Sequence, residues 1–330
     1  MPLNDWDNRF TLLAQDCVMH VGPKPPLWMI AAGLATVYLV WGSTYLAIGV
    51  AVRTLPPFLM AGARFVVAGL ILWTILVSFN RFRITRKQLW DNLFIGALLL
   101  LGGNGLVSWA QKEVPSGMTT LIVALNPLFV VIADWVVLVA FRDTTRGSKP
   151  NGLTIFGLCL GFIGLFVLIA PSLGATDATR LDGFRVLALV VACLSWCIGS
   201  LATRYVKNPA DPFSGAAIQM ILGGFWLLLV GVVLGEVSQF DLQLVSRDSV
   251  LAWIYLMLMG SLVTYTTFIW LIKHASPSLV ATSSYVNPIV AVFLGWFFLG
   301  EQVSPRIVAA GAVIVLGVAM ITLGRSLSHG

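Results

Sequence analysis

Two charged side chains, Arg64 and Asp134, stand inside long apolar runs of the sequence. A charge near the middle of a bilayer costs roughly 2.5–3.5 kcal/mol on insertion scales, so such a residue needs a cavity or a partner. We interpret Arg64 as a contact for an anionic ligand group or as part of a gating ion pair, with extension to the lipid headgroups as the alternative. Asp134 lies nearer the end of its run and is a candidate for carrying a coupling proton. Pairing with Arg142 or a loop arginine is the interpretation that we favour for it.

Amide, hydroxyl and aromatic side chains share these runs, and their polar edges suit a cavity for amphipathic ligands. Asn104 lies between two glycines, which let a ligand or a neighbouring backbone approach closely. It fits either a cavity or a hydrogen bond between helices. Tryptophan at the end of a span is often an interface anchor, but Trp41 and Trp196 lie deeper. The predicted cavity residues are Trp41, Ser43, Tyr45, Arg64, Asn104, Trp196, Gln219, Tyr265 and Tyr285.

An Asn-Pro pair occurs twice, as Asn126-Pro127 and as Asn287-Pro288. Proline inside a helix leaves the carbonyl group four residues earlier without its donor. Within a membrane, such a carbonyl is tolerated where other helices, water or a ligand satisfy it. We therefore predict a matched pair of helix kinks with a gating role. Their asparagine side chains bond either the loosened backbone or the ligand.

The composition places these residues in a membrane protein. Of 330 residues, 58% are apolar and 10% are charged, and the mean hydropathy is +0.92. Soluble proteins carry about 25% charged residues, and a membrane-spanning helix needs about 20 apolar residues. We predict an all-α polytopic membrane protein with ten transmembrane helices. They are placed at 27–52, 57–79, 90–110, 116–140, 152–171, 185–206, 212–235, 249–272, 277–300 and 304–324.

Basic residues in the loops indicate the orientation of the chain. With the N-terminus inside, thirteen Lys and Arg lie on the cytoplasmic side and six lie outside, so both termini are predicted to be cytoplasmic. Residues 1–26 form a polar tail without the apolar core of a signal peptide. The net charge of +6 is assigned to this loop pattern and not to nucleic acid. The four cysteines and three histidines have no metal-binding spacing, and we predict no cofactor.

The two halves of the sequence repeat one another. They align at a separation of 155 residues and then, after a small insertion, of 161 residues. The matched positions are Trp41 with Trp196, Arg64 with Gln219, Gly69 with Gly224, Trp109 with Trp270, Asn126 with Asn287, Asp134 with Gly295, and Trp135 with Trp296. Because each copy holds five spans, the second copy must enter the membrane from the opposite side. We predict two inverted five-helix repeats, 27–171 and 185–324, which close opposite ends of a shared cavity in turn.

Four phrases carry a family resemblance, namely VWGSTYLAIGVAV, PPFLMAGARFVVAG, GNGLVSWAQKEVPSGMTTLIVALNPLF and TSSYVNPIVAVFLGWFFLGE. Together they resemble the EamA family of the drug/metabolite transporter superfamily, and within it the YedA-like exporter branch, over residues 27–324. The resemblance implies ten helices in two inverted repeats, a bacterial inner-membrane location and export of small metabolites. The sequence departs from the family pattern at one place. The fourth span of such proteins often ends with a glutamate and a basic residue, but here it ends VAFRD at Asp143. The ninth span does end with Leu-Gly-Glu, at Glu301.

Enzyme and channel classes find little support in the sequence. It has no HExxH, GxSxG or P-loop motif, so this chain does not use ATP directly. It also lacks the repeated pore-lining charges of a channel. We predict a secondary-active exporter of small organic metabolites, such as amino acids, related solutes or drugs, with protons as candidate coupling ions. The alternatives are an uncoupled facilitator or exchanger, or a non-transporting membrane sensor. In the lipid bilayer the protein is expected to be a monomer or a homodimer.

Overall fold

The computed structural model describes residues 25–141, 149–174, 183–203, 206, 209, 211–275 and 277–328, and every regular element within them is helical. The long helical segments are numbered α1 to α10 in chain order. Nine of them are long and apolar enough to cross a membrane: α1 Leu27–Ala51, α2 Pro57–Ser78, α3 Arg86–Ala110, α4 Ser116–Val136, α6 Gly183–Ala202, α7 Pro212–Val233, α8 Arg247–Ile272, α9 Leu279–Leu299 and α10 Pro305–Leu327. Over its described residues, the chain is therefore an all-helical multi-pass membrane protein, as predicted.

The remaining helix, α5, spans Gly152–Gly174, and its shorter apolar part is Gly152–Leu168. Helical structure continues in α4 to Phe141, in α8 to His274 and in α10 to Ser328. The ends of the ten helices differ by at most four residues from the predicted span boundaries. We call the side of the bundle where α1 begins the first face, and the side where α1 ends the second face. The full count of ten spans stays a prediction.

Two antiparallel helix pairs hold the bundle together through glycines. A Cβ atom at Gly62 of α2 would lie 2.9 Å from the carbonyl oxygen of Gly224 in α7. One at Gly69 would lie 3.0 Å from the carbonyl oxygen of Ala217. A later residue of α2 thus meets an earlier residue of α7, so the two helices run in opposite directions. Small residues allow this close approach, which supplies most of the van der Waals contact between helices in lipid.

The second pair joins α5 to α10 in the same manner. A Cβ atom at Gly157 would lie 2.6 Å from the carbonyl oxygen of Gly317, and one at Gly164 would lie 3.1 Å from that of Ala310. The order of these contacts again shows antiparallel helices. A larger side chain at either glycine would clash with backbone, which cannot move aside as a flexible side chain can.

Several spans depart from regular α-helix close to the predicted site residues. π-Helical segments occur at Val37–Trp41 in α1, Ala97–Gly105 in α3 and Leu256–Val263 in α8. Such segments leave some backbone groups loosely bonded and occur often at functional sites. The segments in α3 and α8 nearly coincide when the repeat separation of 161 residues is applied.

Two further spans are interrupted by turns. In α4 the turn at residues 124–125 directly precedes Asn126-Pro127. In α9 the turn lies at Thr282, and regular helix continues through Pro288. The turn in α9 thus lies more than one helical turn before its Asn-Pro pair, and the matched pair of kinks stays a prediction. The hydroxyl of Thr282 bonds to the carbonyl oxygen of Leu279, and this local bond competes with the helix one turn earlier.

Candidate functional site

Arg64 of α2 lies inside the bundle and is only 3% exposed. Its Nη2 atom donates a long hydrogen bond of 3.5 Å to the Oδ1 atom of Asn104 in α3. Its guanidinium also lies 4.2 Å from the ring centre of the adjacent Phe65. The Nε atom is buried and finds no acceptor among the described residues. Arg64 thus combines full burial with weak hydrogen bonding.

Gln219 of α7, the repeat counterpart of Arg64, belongs to a chain of short hydrogen bonds. Its Nε2 atom donates to the Oδ1 atom of Asn92 at 2.8 Å, and its Oε1 atom accepts from the Tyr265 hydroxyl at 3.1 Å. Asn92 in turn donates to the carbonyl oxygen of Gln88 at 2.7 Å. Sequence reasoning missed Asn92, although an amide facing an apolar span was a signal that could have found it. It is 2% exposed, so this network is part of the interior.

Two of the predicted residues of α1, Trp41 and Ser43, contact α8. The indole of Trp41 donates to the carbonyl oxygen of Gly260 at 3.3 Å, and the ring packs 4.8 Å from that of Phe268. The hydroxyl groups of Ser43 and Tyr255 lie 2.6 Å apart. These contacts place α1 against the π-helical segment of α8.

The other aromatic candidates lie in different packing clusters. Trp196 of α6 covers Gly103, where a Cβ atom would lie 2.8 Å from the indole ring. Trp196 and Tyr265 pack against one hydrophobic cluster, whereas Tyr45 and Tyr285 pack against another. The structure therefore brings together Arg64 with Asn104 and Gln219 with Tyr265, but it distributes the predicted aromatic residues over separate clusters.

The two Asn-Pro asparagines share one property. The Oδ1 atoms of Asn126 and Asn287 are both buried, and neither finds a donor within the described part of the chain. A carbonyl freed by proline needs a donor, so the unpaired oxygens leave both expectations for these side chains open. Their roles in gating or ligand binding stay predictions.

Asp134 is 3% exposed and forms an ion pair with Arg325 near the end of α10, with 2.5 Å between Oδ2 and Nη2. The expected partners were Arg142, which lies outside the described residues, or a loop arginine. Pairing with either of them stays a prediction, and the observed ion pair with Arg325, which lies on a helix, was not predicted. Helix α10 packs along α5 and also contacts α4, so the end of α10 lies beside α4. No spacing in the sequence could show this contact.

Two carboxylates at the second face bind helix N-termini. Glu301 accepts from the backbone N–H groups of Ser116 at 2.8 Å and Gly117 at 3.1 Å, and from the Ser116 hydroxyl at 2.7 Å. These groups begin α4. The first four N–H groups of a helix lack internal partners and carry partial positive charge, so a carboxylate is well placed there.

Glu236 makes the equivalent contact with α2, through the N–H groups of Phe58 at 3.2 Å and Leu59 at 2.9 Å. Both carboxylates follow a Leu-Gly pair in which the glycine adopts positive φ, 76° at Gly235 and 65° at Gly300. Glycine tolerates this conformation, which ends a helix and turns the chain back. Glu236 was missed from the sequence, although a second Leu-Gly-Glu was the signal that could have found it.

Other charged contacts lie near both faces. At the first face, Arg81 pairs with Asp211 at 3.2 Å, and Asp211 also accepts from the first turn of α7. At the second face, Arg185 of α6 pairs with Glu113 at 2.7 Å and lies 3.8 Å from the ring centre of Trp109. Among the described residues, no group of three or more His, Cys, Asp or Glu side chains could hold a metal ion.

A bundle of long apolar helices of this kind belongs to the class of multi-pass membrane proteins. The model of the EamA-like transporter family matches residues 27–170 and 183–323, and the chain belongs to this family. The predicted family resemblance is thus confirmed. The protein is a membrane transporter and not an enzyme, and its partners are a small-molecule substrate and the surrounding lipid.

The chain is similar over most of its length to named transporters. It is 33% identical to the "Uncharacterized inner membrane transporter YedA" of Escherichia coli (strain K12), covering 89% of this chain and 90% of that protein. It is 24% identical to the "S-adenosylmethionine/S-adenosylhomocysteine transporter" of Chlamydia muridarum, covering 86% and 88%. A solved structure described as "Crystal structure of protein" aligns with a TM-score of 0.60 and 21% identity, over 90% of this chain and 98% of that one. That likeness concerns the fold alone.

Proposed function

We propose that the protein is a secondary-active exporter of small organic metabolites that works by alternating access in a bacterial inner membrane. Amino acids, related solutes and drugs are the candidate substrates. The YedA relative is named as an inner membrane transporter, and the Chlamydia relative is named for two small organic molecules. The excess of Lys and Arg in alternate loops supports a cytoplasmic first face and cytoplasmic termini.

The observation that carries this proposal is the reciprocal contact between α2 and α7. Gly62 meets Gly224, and Gly69 meets Ala217. Moving along the chain by the repeat separation of 155 residues takes 62 to 217 and 69 to 224. Exchanging each residue for its repeat counterpart therefore turns the contact of Gly62 with Gly224 into the contact of Ala217 with Gly69. A two-fold axis in the membrane plane would require this exchange. This reciprocity supports two inverted five-helix halves, 27–171 and 185–324, the arrangement of many secondary transporters.

Polar contacts that join these halves lie at both faces, which alternating access requires. At the second face, Glu236 and Glu301 of the second half bind N-termini of the first half. At the first face, Asp211 and Arg325 of the second half bind Arg81 and Asp134. Hydrogen bonds to charged groups contribute about 1.5–3 kcal/mol each, small enough to be exchanged as a substrate binds and leaves. The halves then open one face while the other stays joined.

A cross-link between the halves tests this mechanism. The hydroxyl oxygens of Thr54 and Ser246 belong to different halves at the second face and lie 3.5 Å apart. Thr54→Cys with Ser246→Cys, in a background without the natural cysteines, should form a disulfide when oxidised. Transport by the purified protein in liposomes should stop, and a reductant should restore it.

The matched control lies within one half. The hydroxyl oxygens of Ser246 and Ser249 are 3.0 Å apart at the start of α8. Ser246→Cys with Ser249→Cys should therefore transport equally well under oxidising and reducing conditions. Undiminished flux with the Thr54–Ser246 cross-link fully formed would exclude alternating access between these halves.

The energy source needs a second experiment, with labelled amino acids and related solutes in liposomes that carry a defined pH gradient. Uptake that follows the gradient supports exchange for protons. Counterflow that ignores the gradient supports the uncoupled facilitator instead. Absence of flux for every solute in the panel would favour the non-transporting sensor.

A further inference from the structure

Arg64 carries a buried positive charge that the described part of the protein does not neutralise. It forms no ion pair with any described carboxylate, and its Nε atom finds no acceptor. Its hydrogen bond to Asn104 is long, at 3.5 Å. An arginine stays protonated in proteins, and an uncompensated buried charge is among the costliest features of a fold. The side chain is 3% exposed, so extension to the headgroups does not relieve this cost.

Three arginines nearer the faces of the same bundle are neutralised. Arg81, Arg185 and Arg325 each contact a carboxylate, at 3.2, 2.7 and 2.5 Å. Carboxylate partners are therefore common in this chain where a charge serves to join helices. Arg64 differs from them because it is more deeply buried and has only an amide beside it.

The fold itself does not need a charge at this position. The repeat counterpart of Arg64 is Gln219, and the counterpart of Asn104 is Tyr265. These two neutral side chains bond each other at 3.1 Å, and Gln219 also bonds Asn92 at 2.8 Å. A neutral pair thus satisfies the same place in the second half. The positive charge of the first half exceeds what helix packing requires.

We propose that Arg64 binds a carboxylate group of the transported solute and selects acids over their neutral analogues. This inference rests on the transport function proposed above. The unused Nε–H and the remaining guanidinium N–H groups present parallel donors, which match the two oxygens of a carboxylate. The Asn104 amide accepts one long bond from Nη2 and so favours one orientation of the guanidinium. Asn104 is therefore a positioning residue, and the solute supplies the missing negative charge.

The position of Arg64 also favours a solute over a lipid. It is the eighth residue of α2, roughly 10 Å along the helix from the second face at 1.5 Å per residue. The ring centre of Phe65 lies 4.2 Å from the guanidinium. An aromatic ring this close to a guanidinium suits an amphipathic acid with an apolar part.

Paired probes that differ only in charge test the assignment. Phenylalanine and phenylalaninamide, and 3-phenylpropionate and its amide, are compared as competitors of labelled solute counterflow in liposomes. A charge-assisted contact of this kind corresponds to a preference for the acid of about 10-fold or more. Arg64→Gln should reduce the preference to within about 2-fold of equality, whereas Arg64→Lys should keep part of it. Arg247→Gln removes an exposed arginine and should leave the ratio unchanged.

Each outcome bears on one claim. Equal competition by acid and amide in the wild-type protein, or an unchanged preference in Arg64→Gln, would overturn the assignment while leaving transport itself established. The same equality is expected if a lipid phosphate group neutralises Arg64. Absence of flux in the wild-type protein would instead refute the transport function.

A second measurement does not depend on transport. Phenylpropionate should raise the unfolding temperature of the wild-type protein in detergent, and its amide should not. If Arg64→Gln does not fold, the assignment of Arg64 is still tested by two results. In the wild-type protein the shift should occur with the acid only, and part of it should remain in Arg64→Lys. An equal shift with acid and amide would contradict the assignment.

Discussion

The pair Arg64–Asn104 in the first half and the pair Gln219–Tyr265 in the second half occupy corresponding positions but differ in how well their hydrogen bonds are satisfied. In the second half, both polar groups of Gln219 bond, at 2.8 and 3.1 Å. In the first half, the positively charged guanidinium of Arg64 makes one hydrogen bond, of 3.5 Å, to Asn104. The repeated framework keeps a polar pair between the second and third helices of each half, α2 with α3 and α7 with α8. The chemistry of the pair is what the two halves do not share.

This difference separates two uses of buried polarity. A satisfied neutral network rigidifies the packing of α3, α7 and α8, because each group would cost free energy if left unpaired. A buried cation without a counterion does the opposite, since it leaves the closed bundle under-stabilised until an anion arrives. The first pair is thus suited to binding and the second to structure.

The largest expected effect comes from giving Arg64 an internal counterion. Asn104→Asp places a carboxylate beside the guanidinium, so we expect an unfolding temperature above that of the wild-type protein. Competition by phenylpropionate in counterflow should weaken about 10-fold or more, because the internal carboxylate occupies the same donors. Both are measured on the purified protein, in detergent and in liposomes.

The control for this change adds the same charge at an exposed position. Gln239→Glu lies in the exposed segment between α7 and α8 and should alter neither property. Unchanged competition by the acid in Asn104→Asp would show that the Arg64 guanidinium is not where the solute binds, and the two pairs would then be alike in function.

A smaller effect is expected from the second pair, and on stability alone. Gln219→Leu leaves the Oδ1 atom of buried Asn92 and the hydroxyl of Tyr265 without partners. The free energy of unfolding should fall by about 1–3 kcal/mol, while the acid-to-amide ratio stays at its wild-type value. Unfolding is followed by tryptophan fluorescence, with exposed Gln243→Leu as the control. Loss of the acid preference in Gln219→Leu would mean that both pairs serve binding.

The helices could be predicted from the sequence because the bilayer requires each of them to be long and apolar. The membrane class and the span ends followed from these constraints, with ends within four residues of those observed. The repeat also reveals the Arg64–Gln219 correspondence from the sequence alone. The helix ends depend on one segment of the sequence at a time, and the repeat depends on two segments that can be aligned directly.

The unpredicted features depend on which helices meet. Nothing near Asp134 in the sequence indicates Arg325, because the pair forms only where α4 and α10 come together. The role of Glu236 likewise requires the start of α2 beside the end of α7. The Asn-Pro pairs show a further limit. Proline removes one helical bond, but whether the helix breaks there depends on competing bonds such as that of Thr282.

Asp134 sharpens the comparison because, like Arg64, it is a charge of the first half without a charged counterpart, its match being Gly295. Its pairing with Arg325 leads us to expect a structural role. Asp134→Asn should lower the free energy of unfolding by about 1 kcal/mol, since Arg325 is partly hydrated. The dependence of transport on pH should not change, with exposed Asp248→Asn as the control. A lost pH dependence would instead identify Asp134 as the coupling site.

The smallest effect tests whether the second pair acts as one unit. Tyr265→Phe removes only the hydroxyl that donates to Gln219 at 3.1 Å, so the free energy of unfolding should fall by about 0.5–1.5 kcal/mol. When Tyr265→Phe is combined with Gln219→Leu, the two losses should sum to more than the double variant shows, because they break one shared bond. Denaturant unfolding of the four proteins gives the coupling. Strict additivity would mean that the bond contributes nothing, and the second half would then resemble the first in its poorly satisfied polar pair.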